Sequence, residues 1–272
     1  MKNDCPKISV VTPSFNSGKY IEQAIQSVLL QNYPDFEHIV IDGGSTDGTI
    51  EILKKYPHLK WVSEPDRGQS HAMNKGFAMS TGEIIAYLNA DDFFEPDAFH
   101  TAVKYLDKKK GIYMVVGECN IIDDAGKKWI NTNIKMTFYE MLQWWRYSFP
   151  NNPSSYFYFR ELQENVGPFD ETNHYSLDYD FLLRAALHYN FYKIDEVLGN
   201  CRFIKGTKTY EYSSKDWHRV NQPVSRKYWK YLDLKDGLSI RFSYYHYRTN
   251  QFKLKGIDYC KGLLKQLSMK RD

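Results

Sequence analysis

Short apolar runs alternate with amphipathic stretches through the first ninety residues. Lys7 to Phe15, KISVVTPSF, is β-branched and apolar before it turns small and polar, as a strand buried on both faces of a parallel sheet would. Gly18 to Gln31 then places Tyr20, Ala24, Ile25, Val28 and Leu29 at helical spacing, and Pro34 closes the unit. The unit repeats: a strand over Phe36 to Ile41, the polar turn IDGGSTDGT, and a helix over Thr49 to Tyr56 ahead of Pro57. A third strand over Lys60 to Ser63, a helix over Gln69 to Met79 and a fourth strand over Glu83 to Leu88 follow. This alternation predicts an α/β fold with a Rossmann-like, doubly wound and mostly parallel sheet, whose ligand sits beyond the carboxyl ends of the strands.

After Pro96 the pattern loosens into a helix over Asp97 to Lys108, a strand over Gly111 to Gly117, and a hairpin ending at Ile130 with DAGK as its turn. An aromatic helix over Thr137 to Tyr147, a strand over Ser155 to Phe159, a helix over Asp178 to Tyr189 and an extended stretch over Tyr192 to Phe203 complete the expectation. Without internal repeats or low-complexity linkers, the chain reads as one domain over residues 1–212, with halves 1–110 and 111–212, and a helical extension over 213–272.

Composition narrows the class. The 272 residues are 42% hydrophobic and 25% charged, which excludes extensive disorder, and 16% aromatic with 22 Tyr. The net charge of +3 combines a front half that is not basic with a tail in which Lys and Arg interleave with Tyr, Phe and Leu. That tail suits the solvated side of an amphipathic helix first and peripheral contact with a membrane face second. No nucleic-acid partner is expected, because the basic residues lie away from the polar strand ends. Cys5, Cys119, Cys201 and Cys260 show no metal-ligand spacing and read as free thiols. The absence of a secretory pattern and of an apolar run of roughly 18 residues leads to the expectation of a cytoplasmic setting.

Polar residues collect at the predicted strand ends: Thr12, Pro13 and Asn16, then Asp42, then Asp66 and Arg67, then Asn89, Asp91 and Asp92. Adjacent carboxylates at Asp91 and Asp92 ionise together at low cost only beside a cation, and hard oxygen ligands suit Mg²⁺ or Mn²⁺. Asp92 alternatively caps a helix starting near Pro96. Asp42 is positioned to accept from a base N–H, whereas Asp47 with Thr49 reads as a capping device. Arg67 suits a diphosphate, and Ala72, Asn74 and Gly76 permit close approach to the following helix. Asp178 and Asp180, in SLDYDFLLRAAL, are either helix-capping acids or a general base.

The segments VVTPSFNSGKYIEQAIQSVLLQNYPDFEHIVIDGGSTDGT and EPDRGQSHAMNKGFAMSTGEIIAYLNADD, in this order and spacing, resemble a family 2 glycosyltransferase with the GT-A fold, of the kind that builds bacterial polysaccharides. The resemblance extends over roughly residues 7 to 205. It implies an inverting enzyme that moves a sugar from a nucleotide-sugar donor, preferentially a UDP-sugar, to a glycan or lipid-linked saccharide acceptor. It implies that Thr12, Pro13, Asn16, Asp42, Asp66, Arg67, Asn74 and Asp91 line the nucleotide-sugar site in the 1–110 half, with Asp92 the direct ligand of Mn²⁺ or Mg²⁺. GPFDETNHYSLDYDFLLRAA resembles the acceptor-side segment and puts Asp178 in the catalytic position, with Asp180 still open for that role. Lys205 and Lys208, in IKGTK, fall where related enzymes contact donor phosphate. Three positions depart from the family pattern: Asn89 and Gly43 each stand where an acid is usual, and Leu177 stands where a Glu precedes the base. A sugar nucleotidyltransferase and a non-catalytic sugar-binding module are the rival readings; the first would need a basic glycine-rich loop that TPSFNSG does not provide.

Overall fold

The computed structural model describes residues 5–130, 134–150, 152–213 and 217–250. Four strands, β1 (Ile8–Ser14), β2 (Phe36–Asp42), β3 (Leu59–Ser63) and β4 (Ile84–Tyr87), pair in parallel in the order β3-β2-β1-β4. Their side chains are almost entirely buried through β1, β2 and β4, which is why these runs are apolar without alternation. The connecting helices are α1 (Ile21–Leu29), α2 (Thr49–Leu53) and α3 (Gln69–Met79). Helix α3 lies so close to the sheet that a Cβ on Gly76 would stand 2.3 Å from Val11 Cγ1, which explains the small residue there.

The sheet then turns mixed. Strand β5 (Phe93–Phe94) and helix α4 (Ala98–Tyr105) lead to the long strand β6 (Met114–Asp123), and β7 (Lys128–Ile130) returns on it through the DAGK turn. Helix α5 (Phe138–Met141), strand β8 (Tyr156–Phe159), helices α6 (Arg160–Val166) and α7 (Leu177–Ala186) and strand β9 (Phe191–Phe203) follow. The sheet continues β4-β8-β6-β9-β5, antiparallel at β4–β8, β8–β6 and β9–β5 and parallel at β6–β9. Register slips between Val116 and Cys119, where Gly117 is pressed against Leu198.

Two expectations are corrected here. The aromatic stretch expected to be helical from Thr137 to Tyr147 forms only the single turn α5, capped by the Thr137 side chain accepting from the Glu140 amide. Trp144 and Trp145 then leave the helical path with their rings 5.9 Å apart at 88°, and Trp145 packs 5.0 Å from Tyr244, so tertiary packing overrides local preference. The strand expected at Gly111 begins at Met114, because residues 107–112 form a tight turn closed by the Asp107–Ile112 bridge.

Helices α8 (Lys208–Ser213) and α9 (Trp217–Tyr228) and a further helix, α10, over 234–250 supply the helical C-terminal region. It shares the main core: Val224, Tyr228 and Ile240 pack with Tyr156, Tyr158, Phe181 and Leu182. Tyr156 and Tyr158 are fully buried within this core. Among the described residues no helix is long and apolar enough to cross a membrane.

Candidate functional site

The carboxyl ends of β1 to β4 form one rim. Asp42, the last residue of β2, is fully buried and organises the loop after it: its Oδ2 accepts from the Gly44 and Ser45 amides at 3.1 and 2.9 Å and from Ser63 Oγ at 2.7 Å. Its Oδ1 accepts from Ser45 Oγ at 2.5 Å and Ser14 Oγ at 3.3 Å. Asn16, in the left-handed region at φ 48°, clamps the same loop by accepting from the Thr46 amide at 2.9 Å. Asp47 holds the Gly18 amide at 2.9 Å and the Thr49 hydroxyl at 2.5 Å, a structural role in line with its sequence. Pro13, paired with Ile41 in the register, is half-buried. Thr12 is buried with its hydroxyl 2.9 Å from His38 Nε2, and burial lowers the His38 pKa to about 3, so that the ring is neutral. Asp66 closes its own turn by accepting from the Gly68 amide at 2.7 Å. Its other oxygen fills the space beside Gly43, where a Cβ would stand 2.9 Å from it.

At the end of β4 the two acids are treated differently. Asp92, the expected direct cation ligand, is enclosed at 2% exposure. Its Oδ2 accepts from Asn89 Nδ2 at 3.0 Å and Asn152 Nδ2 at 2.8 Å, and its Oδ1 from the Arg202 amide at 2.9 Å. Burial, then the neighbouring Asp91 charge, raise its pKa to about 7. Asp91 is half-buried, and among the described residues its carboxylate accepts no hydrogen bond from another residue. Desolvation raises its pKa too, against the pull of Arg202, whose guanidinium donates to the Asp91 carbonyl and lies 4.9 and 5.0 Å from the Tyr20 and Phe93 rings.

The amides around Asp92 leave no choice of orientation. Lys208 Nζ donates to Gln69 Oε1 at 2.8 Å, so Gln69 presents its NH₂ to Asn89 Oδ1 at 2.9 Å, and Asn89 presents its own NH₂ to Asp92. Asn152 is fixed likewise, with its Oδ1 taken by the Ser154 amide and hydroxyl at 2.9 and 2.5 Å. An Asp at position 89 could not donate, so the departure from the family pattern supplies one of the locks on Asp92.

The segment over 167–178 is fastened across the rim. Arg67 pairs with Glu171 at 2.6 Å, and Asn74 exchanges hydrogen bonds with the Phe169 backbone at 2.9 and 2.8 Å. This delivers the N-terminus of α7 to the cleft. There Asp178 is half-buried, with Tyr156 O–H donating to its Oδ1 at 3.2 Å. Burial raises its pKa to about 6, while Lys208 and the Tyr156 hydroxyl pull it down. Asp180 is buried elsewhere in the same helix: Arg184 Nε donates at 3.1 Å, Tyr228 O–H at 2.9 Å, and Lys227 Nζ lies at 3.7 Å. Its electrostatic demand is met within the fold, whereas Asp178 keeps its Oδ2 without a hydrogen-bond donor among the described residues.

The side chains of Thr12, Asn16, Asp42, Arg67, Asn74 and Asp92 are thus engaged with protein partners, while Asp66, Asp91 and Asp178 keep carboxylate oxygens without one among the described residues. Gln69, Asn152, Glu171 and Arg202 also meet at the rim, and none of them is among the residues expected there from the sequence. Gln69 stands in the quoted DRGQS segment, but the others become visible only when β8, β9 and the 168–176 segment are brought to the rim. Among the described residues no cluster of three or more His, Cys, Asp or Glu is arranged to hold a metal alone. A cation here would therefore share its coordination with a ligand, as Mg²⁺ and Mn²⁺ do with phosphates.

The parallel arm of a mixed sheet thus ends in a carboxylate rim, with a further acid at the start of α7 fastened across it. The family model described as "Glycosyl transferase family 2" matches residues 9–165, and the chain belongs to that family. A glycosyltransferase of Mycobacterium tuberculosis whose function is uncharacterised is 33% identical over 186 residues, covering 67% of this chain and 70% of that protein. TuaG of Bacillus subtilis, named for teichuronic acid biosynthesis, is 30% identical over 151 residues, covering 53% and 60%. Chondroitin synthase of Escherichia coli is 32% identical over 125 residues, covering 44% of this chain but 18% of its own. The chain thus spans less than two thirds of TuaG and much less of chondroitin synthase. Among solved structures, Staphylococcus aureus TarS 1–349 in complex with UDP-GlcNAc superposes with a TM-score of 0.70 at 21% identity, over 92% of this chain and 76% of that one. The mannosyltransferase PcManGT of Pyrobaculum calidifontis, in complex with GDP-Man and Mn²⁺, gives 0.59 at 18% identity, over 91% and 83%. At these identities the likeness is one of fold.

Proposed function

We propose that this glycosyltransferase moves a sugar from a nucleotide-sugar, read as a UDP-sugar, to a hydroxyl of a glycan or lipid-linked saccharide, inverting the anomeric centre. The observation that carries the reading is the pair of open acids, Asp91 on the β4 rim and Asp178 at the N-terminus of α7, each beside an acid locked into the fold. The complexes of TarS with UDP-GlcNAc and of PcManGT with GDP-Man support a nucleotide-sugar donor.

Asp178 is the general base: with a pKa of about 6 it is ionised near neutrality yet basic enough to accept the acceptor hydroxyl's proton. The chain's residues fit Mn²⁺ or Mg²⁺ at Asp91 and Asp92. Asp91, whose carboxylate accepts no hydrogen bond from another of the described residues, would hold the ion directly, with Asp92, already accepting three hydrogen bonds, behind it. When bound, the ion supplies positive charge against the donor diphosphate as the nucleotide leaves. Asp66 and the Asp42-ordered loop bound the nucleotide end, with Thr12, Pro13, Asn16, Arg67 and Asn74 shaping its walls. Lys208, which donates to Gln69 at 2.8 Å and acts electrostatically on Asp178, is ready to meet the diphosphate. Cytoplasmic assembly of a surface polysaccharide is the setting this reading favours.

Release of nucleotide from a panel of UDP-, GDP- and dTDP-sugars, with Mn²⁺, Mg²⁺ or EDTA, tests the proposal. Turnover of one donor class, abolished by EDTA and by Asp91→Asn, is expected. Tight donor binding without turnover, even with glycan and lipid-linked acceptors, would make the chain a sugar-nucleotide-binding module instead.

A further inference from the structure

Helix α10 carries its large apolar residues on the wrong side for an ordinary surface helix. Tyr231, just before it, and Leu234, Leu238, Phe242 and Tyr245 along it are 55%, 81%, 57%, 75% and 68% exposed. Their spacing of three and four residues places them in one stripe. The orientation is fixed from the opposite face: Ile240 and Tyr244 are buried, Trp145 Nε1 donates to Ser243 Oγ at 3.2 Å, and Tyr139 O–H donates to Ser239 Oγ at 3.0 Å. The stripe therefore cannot be turned inward without breaking that packing. A row of this length is more than the scattered single apolar residues that a soluble surface carries.

Charge identifies what covers it. Lys235 and Arg241 are exposed beside the stripe, and Lys230 lies 5.0 Å from the Tyr231 ring. Over residues 217–272 Lys and Arg outnumber Asp and Glu by thirteen to four, whereas over residues 1–216 acids outnumber bases by twenty-nine to twenty-three. The cationic excess is thus confined to the part of the chain that bears the stripe. A second copy laid on this face would bring like charge against like charge, while an anionic lipid surface accepts both the basic flank and the apolar residues. We infer that the outward face of α10, with Tyr231, docks on an anionic bilayer surface. The helix lies in the plane of the interface, Leu234, Leu238, Phe242 and Tyr245 enter the headgroup and acyl boundary, and Lys235 and Arg241 meet lipid phosphates. This holds independently of the transferase reading, since none of these residues touches the carboxylate rim.

The test is co-sedimentation of the full chain with vesicles of phosphatidylglycerol and phosphatidylcholine against phosphatidylcholine alone, at low and high salt. Binding to the anionic vesicles that weakens with salt is expected. Leu238→Ser with Phe242→Ser should reduce partitioning on the order of tenfold or more, and Lys235→Gln with Arg241→Gln by about fivefold for each charge. All four positions are exposed, so an unchanged circular dichroism spectrum confirms that the variants fold. Three results would overturn the inference: equal binding to neutral vesicles, anionic binding that the Leu238 and Phe242 changes leave intact, or a concentration-dependent dimer that those changes abolish.

Discussion

The end of β4 and the start of α7 each carry two acids close in sequence, and the fold treats both pairs alike in one respect and oppositely in another. In each, one acid is locked by fixed donors and its neighbour is left open to the cleft: Asp92 locked and Asp91 open, Asp180 locked and Asp178 open. The locks differ in charge. Asp180 is held by the cations Arg184 and Lys227 with the Tyr228 hydroxyl, so its charge is cancelled inside the fold and Asp178 titrates almost alone. Asp92 is held by two amide side chains and a backbone N–H, all neutral, and the Arg202 guanidinium pulls on Asp91 instead. On the proposed function, the cationic lock leaves Asp178 free to act as base, and the neutral lock leaves negative charge that a ligand-borne cation would compensate.

The largest expected effect breaks the α7 pair. Asp178→Asn should lower turnover by roughly 10² to 10⁴ with donor binding retained, because only proton removal is lost. Asp180→Asn should do the reverse, leaving the chemistry in place but lowering stability by about 3 kcal/mol as Arg184 loses its buried partner. Turnover and urea denaturation, measured on both variants, separate the roles. Equal kinetic losses from the two, at equal stability, would remove the distinction between locked and open acid.

An intermediate effect is expected from Asn89→Asp. The change removes a donor from Asp92 and adds a third carboxylate, which should lower stability by about 1 to 3 kcal/mol without cation. Mn²⁺ should then raise the melting temperature of the variant more than that of the wild type, because the added charge is most costly when nothing offsets it. An equal response in both proteins would mean that Asn89 does not act through the charge at the β4 rim.

How far these locks could be read from the chain follows from where their parts lie. Strands β1 to β4 and helix α3 were legible because parallel strands buried on both faces are unbroken apolar runs, and each strand ends in its own polar residues. The two acidic pairs were legible for the same reason, since Asp91 and Asp92 end a strand and Asp178 and Asp180 begin a helix, but which member of each pair is open was not, and the cation ligand expected from the sequence was Asp92. The locks were not legible either. Asn152 reaches Asp92 across 60 positions and Arg202 across 110, and nothing local marks an amide in NNPSS or a backbone N–H in β9 as a carboxylate partner. Asn89 was noticed as a departure, but its meaning depends on Gln69 and Lys208 fixing its amide. The short helix at 138–141 eluded the pattern because Trp144 and Trp145 answer to Tyr244 and Tyr247, a hundred residues on.

The smallest expected effect sharpens the account of Asp178 as the acid that titrates. Its pKa of about 6 balances burial, which favours the protonated form, against Lys208 and the Tyr156 hydroxyl, which favour the carboxylate. The base must be ionised, so turnover should rise with pH through about 6 and level off above it. The linked stability has the opposite sign: because the folded value lies above that of an exposed acid, the stabilising contribution is complete at low pH and lost as pH rises through about 6. Tyr156→Phe deletes one oxygen from a fully buried ring and leaves its packing intact, removing only the 3.2 Å hydrogen bond to Oδ1. That bond to a charged group contributes on the order of 1 kcal/mol, so the acid limb of the turnover profile should move upward by less than about one pH unit, with the plateau rate nearly unchanged. A limb that stays in place while the plateau falls would show that Tyr156 positions the acceptor rather than the proton, and would assign the titration to a group other than Asp178.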